Sequence, residues 1–193
     1  MKKVDLHPAQ PVLFMKIGIH AKEPLDEIIA RKLKEIKVAG RAFWGYGGNT
    51  CHPTSIVQPF AAEAAAQGEP ILFCMEKMNS NHWAEPIPAD EYSIDGQEWL
   101  AVPKGIEVRG SRYALAIKDL RPAEFKLPLA RAEVALGPSQ GRGASRYVSG
   151  RVDKACLRMS ADLGRPLEPG EREVDIGLVA ELCEPYAVFL RNR

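Results

Sequence analysis

Residues 11–40 read PVLFMKIGIHAKEPLDEIIARKLKEIKVAG, and this stretch decides the predicted fold. Residues 11–19 have the length and the alternating side chains of a strand. After Pro24 the apolar residues recur at helical spacing, with acids near the start and lysines near the end, as the helix dipole prefers. Proline suits a first helical turn, and Gly40 suits a helix end. We therefore predict a strand and then a helix whose apolar stripe consists of Leu25, Ile28, Ile29, Leu33 and Ile36.

The remaining segments add strands and helices without a regular alternation of the two. A short helix is predicted at residues 59–67, and a longer one at residues 145–163, where apolar residues again recur at helical spacing. Residues 71–75 are apolar on both faces, which favours a central, covered strand. Shorter strands are predicted at residues 99–102, 106–108, 113–117, 132–136, 173–182 and 187–190. The second and third of these have the spacing of a hairpin.

This mixture of elements predicts an α+β protein with a mixed, largely antiparallel sheet and two or three helices. Residues 1–10 are predicted to form a flexible N-terminal lead and residues 11–193 a single α+β domain, because 193 residues suit one domain. Hydrophobic residues make up 46% of the chain and charged residues 26%. These fractions match globular proteins and exclude disorder of the whole chain.

Cysteine usage and hydropathy bear on the compartment. The four cysteines, Cys51, Cys74, Cys156 and Cys183, lie far apart and form no CxxC pair. This spacing favours reduced, mostly buried thiols over disulfides or a zinc site. No apolar run approaches the roughly 20 residues of a membrane span, and no signal peptide is recognisable. We therefore predict a soluble, cytoplasmic protein with no membrane partner.

Positive charge is concentrated in residues 101–160. The whole chain carries a net charge of +1, but this segment contains twelve Lys or Arg and five Asp or Glu, so it carries +7 and the rest −6. A local positive field of this kind attracts polyanions. The segment is therefore predicted to contact a nucleotide or nucleic acid, with a protein partner as the alternative.

Residues 41–52 are predicted to form a loop rich in aromatic residues and glycine. Glycines ahead of a helix start can present backbone N–H groups to an anion, and aromatic rings can stack on a flat base. The spacing matches neither GxGxxG nor GxxxxGK[ST]. The alternative is a tight loop whose aromatic rings fill the core. The predicted ligand-binding residues here are Trp44, Tyr46, Gly47, Gly48, Asn49 and Thr50.

A second glycine loop lies at residues 139–146, ahead of the predicted helix 145–163. Its Arg142 and Arg146, with Arg151 further on, are predicted to bind phosphate groups. On the predicted helix, Arg151, Lys154 and Arg158 form one basic stripe that suits a nucleic-acid backbone. The alternative is an ordinary solvated helix face beside a mobile loop.

Candidates for acid–base chemistry are few. His20 ends the first strand, where a histidine can act as an acid, a base or a ligand-orienting donor. His52 follows Cys51, and Tyr46 lies nearby in sequence. The four histidines show no metal-ligand spacing, so neither a metal nor another cofactor is predicted. Whether the protein is an enzyme stays open.

The order of strand-borne His20, a helix and the aromatic residues 43–46 loosely resembles the start of ADP-ribosyltransferase folds. In that family such a histidine and an aromatic residue hold a nicotinamide dinucleotide, and a later glutamate is catalytic. The resemblance covers about forty residues and does not place that glutamate. Three hypotheses follow: a nucleotide- or nucleic-acid-binding protein, a nucleotide-dependent enzyme, or a protein-interaction or inhibitor domain without a small ligand.

Overall fold

The computed structural model describes residues 4–79, 85–149 and 152–192. Within these ranges it contains three α-helices and a nine-stranded, mostly antiparallel sheet, which confirms the predicted α+β class. A π-helical turn, Pro53–Val57, precedes α2, and a 3-10 turn, Leu129–Arg131, precedes β7. The elements are β1 Pro11–Ile17, α1 Leu25–Ala39, β2 Ala42–Tyr46, α2 Gln58–Ala66, β3 Leu72–Lys77, β4 Glu91–Ser93, β5 Leu100–Ala101, β6 Tyr113–Leu127, β7 Ala132–Val134, α3 Ala144–Tyr147, β8 Lys154–Met159 and β9 Val174–Arg191.

The strands follow the order β2-β6-β9-β3-β1-β8-β7, with β4 joining β9 and β5 joining β4. Only β1 and β3 pair in parallel among the described strands. The longest ladder joins β6 to β9, from Tyr113 opposite Phe189 to Leu127 opposite Val174. As predicted, β3 lies inside the sheet, and β1 lies beside it, so the side chains of both strands are covered on both faces.

Alternate residues of β1 enter different hydrophobic clusters. Leu13 and Met15 belong to a cluster that includes residues of β2, β3 and α2, and α1 contributes Ile28 to it. Val12 and Phe14 point into a second cluster, formed with residues of β7, β8 and β9. Apolar packing on both faces of the central strands therefore holds the sheet in place.

The predicted first helix is confirmed with its ends. Pro24 stands at the N-cap position of α1, and the Gly40 N–H donates to the Ile36 carbonyl at 2.9 Å from a left-handed conformation, φ +75°. The predicted stripe is wrong in one place, because Leu33 is 44% exposed. The helix instead buries Lys32 and Glu35, which the apolar pattern did not indicate.

The predicted helix over residues 145–163 is wrong. α3 ends at Tyr147, and the apolar residues beyond it form strand β8. β8 lies between β1 and β7, so both of its faces are buried and its apolar spacing imitates a helix. The basic stripe disappears with the helix: Lys154 is buried, Arg158 forms an ion pair with Glu63, and Arg151 lies outside the described residues.

Three other local predictions are also wrong. Residues 42–46, predicted as loop, form β2 and pair with β6. Residues 106–108 form no strand and no hairpin with β6, which pairs with β2 and β9 instead. Residues 173–182 and 187–190 belong to the single strand β9, which continues through Pro185. Its register against β6 shifts between Leu115 and Ile117, which accommodates the extra residues.

The first described residues contact the sheet. The Ala9 N–H donates to the Met159 carbonyl, and the Met159 N–H donates to the Gln10 carbonyl. Val4 and Leu6 pack against the second cluster. In the part of the chain that the structure covers, no helix has both the length and the apolar character to cross a bilayer.

Candidate functional site

A cleft of about 670 Å³ opens between the end of β1 and β2. Its walls come from residues 15–20, from α1, from residues 43–48, from residues 108–112, and from the start of β8. β1 and β2 stand four places apart in the strand order, so the sheet must curl to bring both to one cleft. The volume falls within the range of roughly 300–1,000 Å³ that small-molecule sites occupy.

The cleft brings together about half of the residues predicted to bind ligand or take part in catalysis. His20, Trp44, Tyr46, Gly47 and Gly48 line it. The described lining includes none of Asn49, Thr50, His52, Arg142 and Arg146, while Arg151 lies outside the described residues. The two predicted glycine loops therefore do not form one site, since only the first lines the cleft.

The two predicted stacking rings lie deep in the core. Trp44 is 5% exposed and packs edge-on against Phe73, with ring centroids 6.0 Å apart. Tyr46 is 3% exposed, and its hydroxyl donates to the Cys51 carbonyl at 2.5 Å. Burial raises the pKa of the Tyr46 phenol, so it acts as a hydrogen-bond donor and not as a base near neutral pH. Rings this buried offer the cleft little area for face-on stacking.

The glycine turn after β2 lies beside a lysine of β8. Gly48 has φ +78°, and a Cβ built on it would lie 3.9 Å from Lys154 Nζ. A Cβ on Gly47 would have no neighbour within 4 Å, so the backbone there is sterically open. Lys154 Nζ also contacts Asp153 Oδ1 at 2.5 Å. Backbone amides and an ammonium group side by side form a typical anion-binding arrangement.

Six cations line the cleft, against a single carboxylate, that of Asp153, among the described lining residues. No carboxylate of the described chain forms an ion pair with Lys16 or Arg112. The Arg112 guanidinium instead lies 5.3 Å from the Tyr113 ring centre. The sequence contained one signal of this cationic lining, since Lys16 interrupts the otherwise apolar β1. The six cations are Lys16, Arg31, Lys32, Arg109, Arg112 and Lys154.

A buried charge network forms the α1 wall of the cleft. The Lys32 ammonium donates to both Glu35 oxygens at 2.9 Å, and Arg31 donates to Glu35 at 3.1 Å and also to Glu23. Glu35 additionally accepts from the Phe43 N–H at 3.4 Å and the Glu107 N–H at 3.2 Å. The positive charges of Arg31 and Lys32 balance the negative charges of Glu23 and Glu35. The network therefore joins α1 to β2 and to residue 107 and contributes little net field.

The pKa shifts within this network follow from burial and pairing. Burial lowers the pKa of Lys32 to about 8, with the adjacent Glu35 acting in the opposite direction. Burial also works to raise the pKa of Glu23, but hydrogen bonding and charge attraction from Arg31 outweigh it, and the pKa falls. Glu23 is therefore ionised at neutral pH, and most Lys32 side chains are protonated.

His20 contacts the wall of the cleft that residues 110 and 111 form. Its Nε2 lies 3.1 Å from the Gly110 carbonyl and 3.4 Å from Ser111 Oγ. Because a carbonyl only accepts, the contact with Gly110 places the proton of a neutral ring on Nε2. That nitrogen then has no lone pair for the Ser111 proton, and the Ser111 hydroxyl donates to the Arg109 carbonyl at 3.2 Å. The geometry does not form a serine–histidine nucleophile pair.

His52 lies in an aromatic cluster. Its ring packs edge-on against Tyr113 at 5.4 Å and against Phe189 at 5.5 Å. Its Nδ1 lies 3.4 Å from Thr54 Oγ1. A shared acid–base site requires His20 and His52 within reach of one substrate, and only His20 lines the cleft.

Part of the positive charge of residues 101–160 is paired with carboxylates of the same chain. Across the β6–β9 ladder Lys118 contacts Glu181 at 3.0 Å, and Lys126 contacts Glu173 at 2.7 Å. Buried Arg131 forms a bidentate pair with Glu171. These carboxylates belong to the acidic remainder of the chain, so the three pairs offset part of the charge asymmetry.

Comparisons with known proteins do not extend this description. No family model, no curated protein and no solved structure matches the chain. The ADP-ribosyltransferase resemblance therefore stays a prediction. Among the described residues, no three His, Cys, Asp or Glu side chains are grouped as a metal site would need. The functional argument depends on the cleft itself.

Proposed function

We propose that this protein binds a nucleotide in the cleft between β1 and β2. The observation that carries the proposal is the placement of the open backbone of Gly47 and Gly48 beside the Lys154 ammonium. The phosphate group occupies this end of the cleft, and the base lies along β2. The proposal keeps the first predicted glycine loop and does not use the second.

The phosphate end collects positive charge from two strands. The Lys16 N–H donates to the Asp153 carbonyl at 2.8 Å, which places residue 16 next to the start of β8, where Lys154 lies. Asp153 offsets one of these two ammonium charges, so Lys16 supplies the excess that a phosphate requires. Hydrogen bonds from charged donors to phosphate are roughly twice as strong as neutral ones.

A small ligand suits the surroundings better than a long nucleic acid does. On β6, Lys118 and Lys126 pair with carboxylates of β9, and Arg121 pairs with Asp119 of its own strand, so these cations do not form a continuous track for a phosphate backbone. The exposed Arg142 and Arg146 lie outside the cleft lining. Binding is therefore expected to saturate at one nucleotide per chain and to weaken only modestly with salt.

Isothermal titration calorimetry with AMP, ATP, sodium phosphate and a ten-nucleotide single-stranded DNA tests the proposal. We expect AMP or ATP to bind with one site per chain, and Lys16→Met to weaken that binding about tenfold through loss of one charged phosphate contact. Arg142→Met is the matched control and should leave it unchanged. Absence of nucleotide binding, or an equal loss in the control, would overturn the proposal.

A further inference from the structure

The geometry points to a specific contact for the base, and this inference depends on the proposed function. We infer that the backbone of Gly45, on the edge of β2 opposite β6, recognises a nucleobase through a donor and an acceptor that lie next to each other on the ring. Gly45 would thus determine specificity with its main chain, while the glycine turn and Lys16 hold the phosphate.

β2 has one paired edge and one edge toward the cleft. Among the described strands it pairs with β6 alone, and residues 43–48 line the cleft. In an antiparallel pair, the N–H and C=O of one residue point to the same side, and the side alternates along the strand. The Phe43 N–H donates to Glu35 on α1, so residue 43 points away from β6. Gly45, two residues on, points the same way.

Gly45 is also the most accessible part of β2. The other four residues of the strand are buried, and Gly45 is half-buried. The Ser111 side chain covers the face of Gly45, since a Cβ there would lie 1.8 Å from Ser111 Oγ. The approach that stays open is therefore along the strand edge, in the plane of the sheet.

An N–H and a C=O side by side on an extended residue match the hydrogen-bonding edge of a base. Adenine presents an amino donor beside a ring nitrogen that accepts, and the other bases carry equivalent donor–acceptor neighbours. A sugar phosphate lacks a rigid, planar edge of this kind, because its hydroxyl groups lie on tetrahedral carbons and rotate. The inferred ligand class is therefore a nucleotide whose base keeps this edge free, and alkylation of the edge should prevent the contact.

The test compares AMP with N6,N6-dimethyl-AMP, which has lost the amino donor, and with ribose 5-phosphate, which has no base. We expect the dissociation constants of both to be at least tenfold higher than that of AMP. Equal constants for all three ligands would overturn the inference while leaving phosphate binding intact. Failure of all three to bind would instead overturn the proposed function.

A second measurement locates the contact. In protein labelled with 15N-glycine, AMP should shift the Gly45 amide resonance, and inorganic phosphate should shift Gly47 or Gly48 without shifting Gly45. The Gly45 resonance is the one that is present in Ser111→Gly and lost in the double variant Gly45→Ala/Ser111→Gly, in which the steric overlap is removed. If AMP shifts the turn glycines and leaves Gly45 unchanged, the base does not contact the strand edge and the inference fails.

Discussion

The Ser111 side chain occupies the space that a side chain on residue 45 would need. A Cβ built on Gly45 would lie 1.8 Å from Ser111 Oγ and 2.6 Å from Ser111 Cβ, both far below van der Waals contact. Residue 45 belongs to β2 and residue 111 to the segment before β6, so this overlap links two walls of the cleft. It makes glycine a packing requirement at residue 45.

Gly45→Ala should therefore destabilise the protein by about 1–3 kcal/mol, the usual cost of overpacking. Ser111→Gly in the same chain should recover most of that loss, because it removes both overlapping atoms. Urea unfolding of the wild type, both single variants and the double variant measures the coupling. Additive single effects would show that the two residues do not compete for this space.

Glu35→Gln should cost about 3–5 kcal/mol, because it removes the counter-charge of a buried ammonium. Lys32 donates to both oxygens of Glu35, and both residues are at most 3% exposed. The matched control is Glu27→Gln, an exposed carboxylate of the same helix, whose effect should stay within about 0.5 kcal/mol. Equal unfolding midpoints in urea for both variants would contradict the role of the network.

The buried Lys32 should make stability rise with pH between about 8 and about 10.4, its pKa in the folded and unfolded chains. Within that window the unfolded chain holds a proton that the folded chain has released, so alkali favours folding. The measurement is the free energy of unfolding of wild type minus that of Lys32→Met at pH 7.5, 8.5 and 9.5. A difference that does not grow with pH would show that Lys32 has an ordinary pKa.

Cys183 should react first with a disulfide reagent such as DTNB at pH 8. It is the one cysteine of the chain that is not fully buried, whereas Cys51, Cys74 and Cys156 lie in the core. Burial raises the pKa of Cys74, Cys156 and Cys183 alike, so access of the reagent to the sulfur decides which thiol reacts first. We expect one early thiol per chain, absent in Cys183→Ser, and four after denaturation. Early reaction of a second thiol would contradict the burial.

Helix α1 shows what local pattern can predict. Its N-terminal proline, its C-terminal glycine and its charge distribution act over one or two turns, so they are visible in the sequence. Its burial was less predictable. Leu33 is exposed and Glu35 is buried. Burial of Glu35 is possible because it contacts Lys32 and accepts hydrogen bonds from the backbone of residues 43 and 107. The sequence does not place residues 43 and 107 beside this helix.

The residues of the site also divide into those that the sequence indicated and those that it did not. Glycine and aromatic content alone indicated ligand contacts at six residues of this segment, of which four line the cleft and two do not: Trp44, Tyr46, Gly47 and Gly48 line it, and Asn49 and Thr50 do not. Lys16 and Ser111 carry no motif, because a lysine in a strand and a serine in a turn are ordinary. They become significant only through the residues opposite them, at the start of β8 and at Gly45.

By itself the sequence determined the α+β class, β1, α1 and the central position of β3, because these depend on side-chain periodicity and end signals within a few residues. Only the tertiary structure decided that residues 154–159 form a strand and that the sheet curls β1 toward β2. Both depend on contacts between residues distant in the chain. An apolar segment that is buried on two faces has the same composition whether it forms a strand or a helix. The elements that pack against it select between the two.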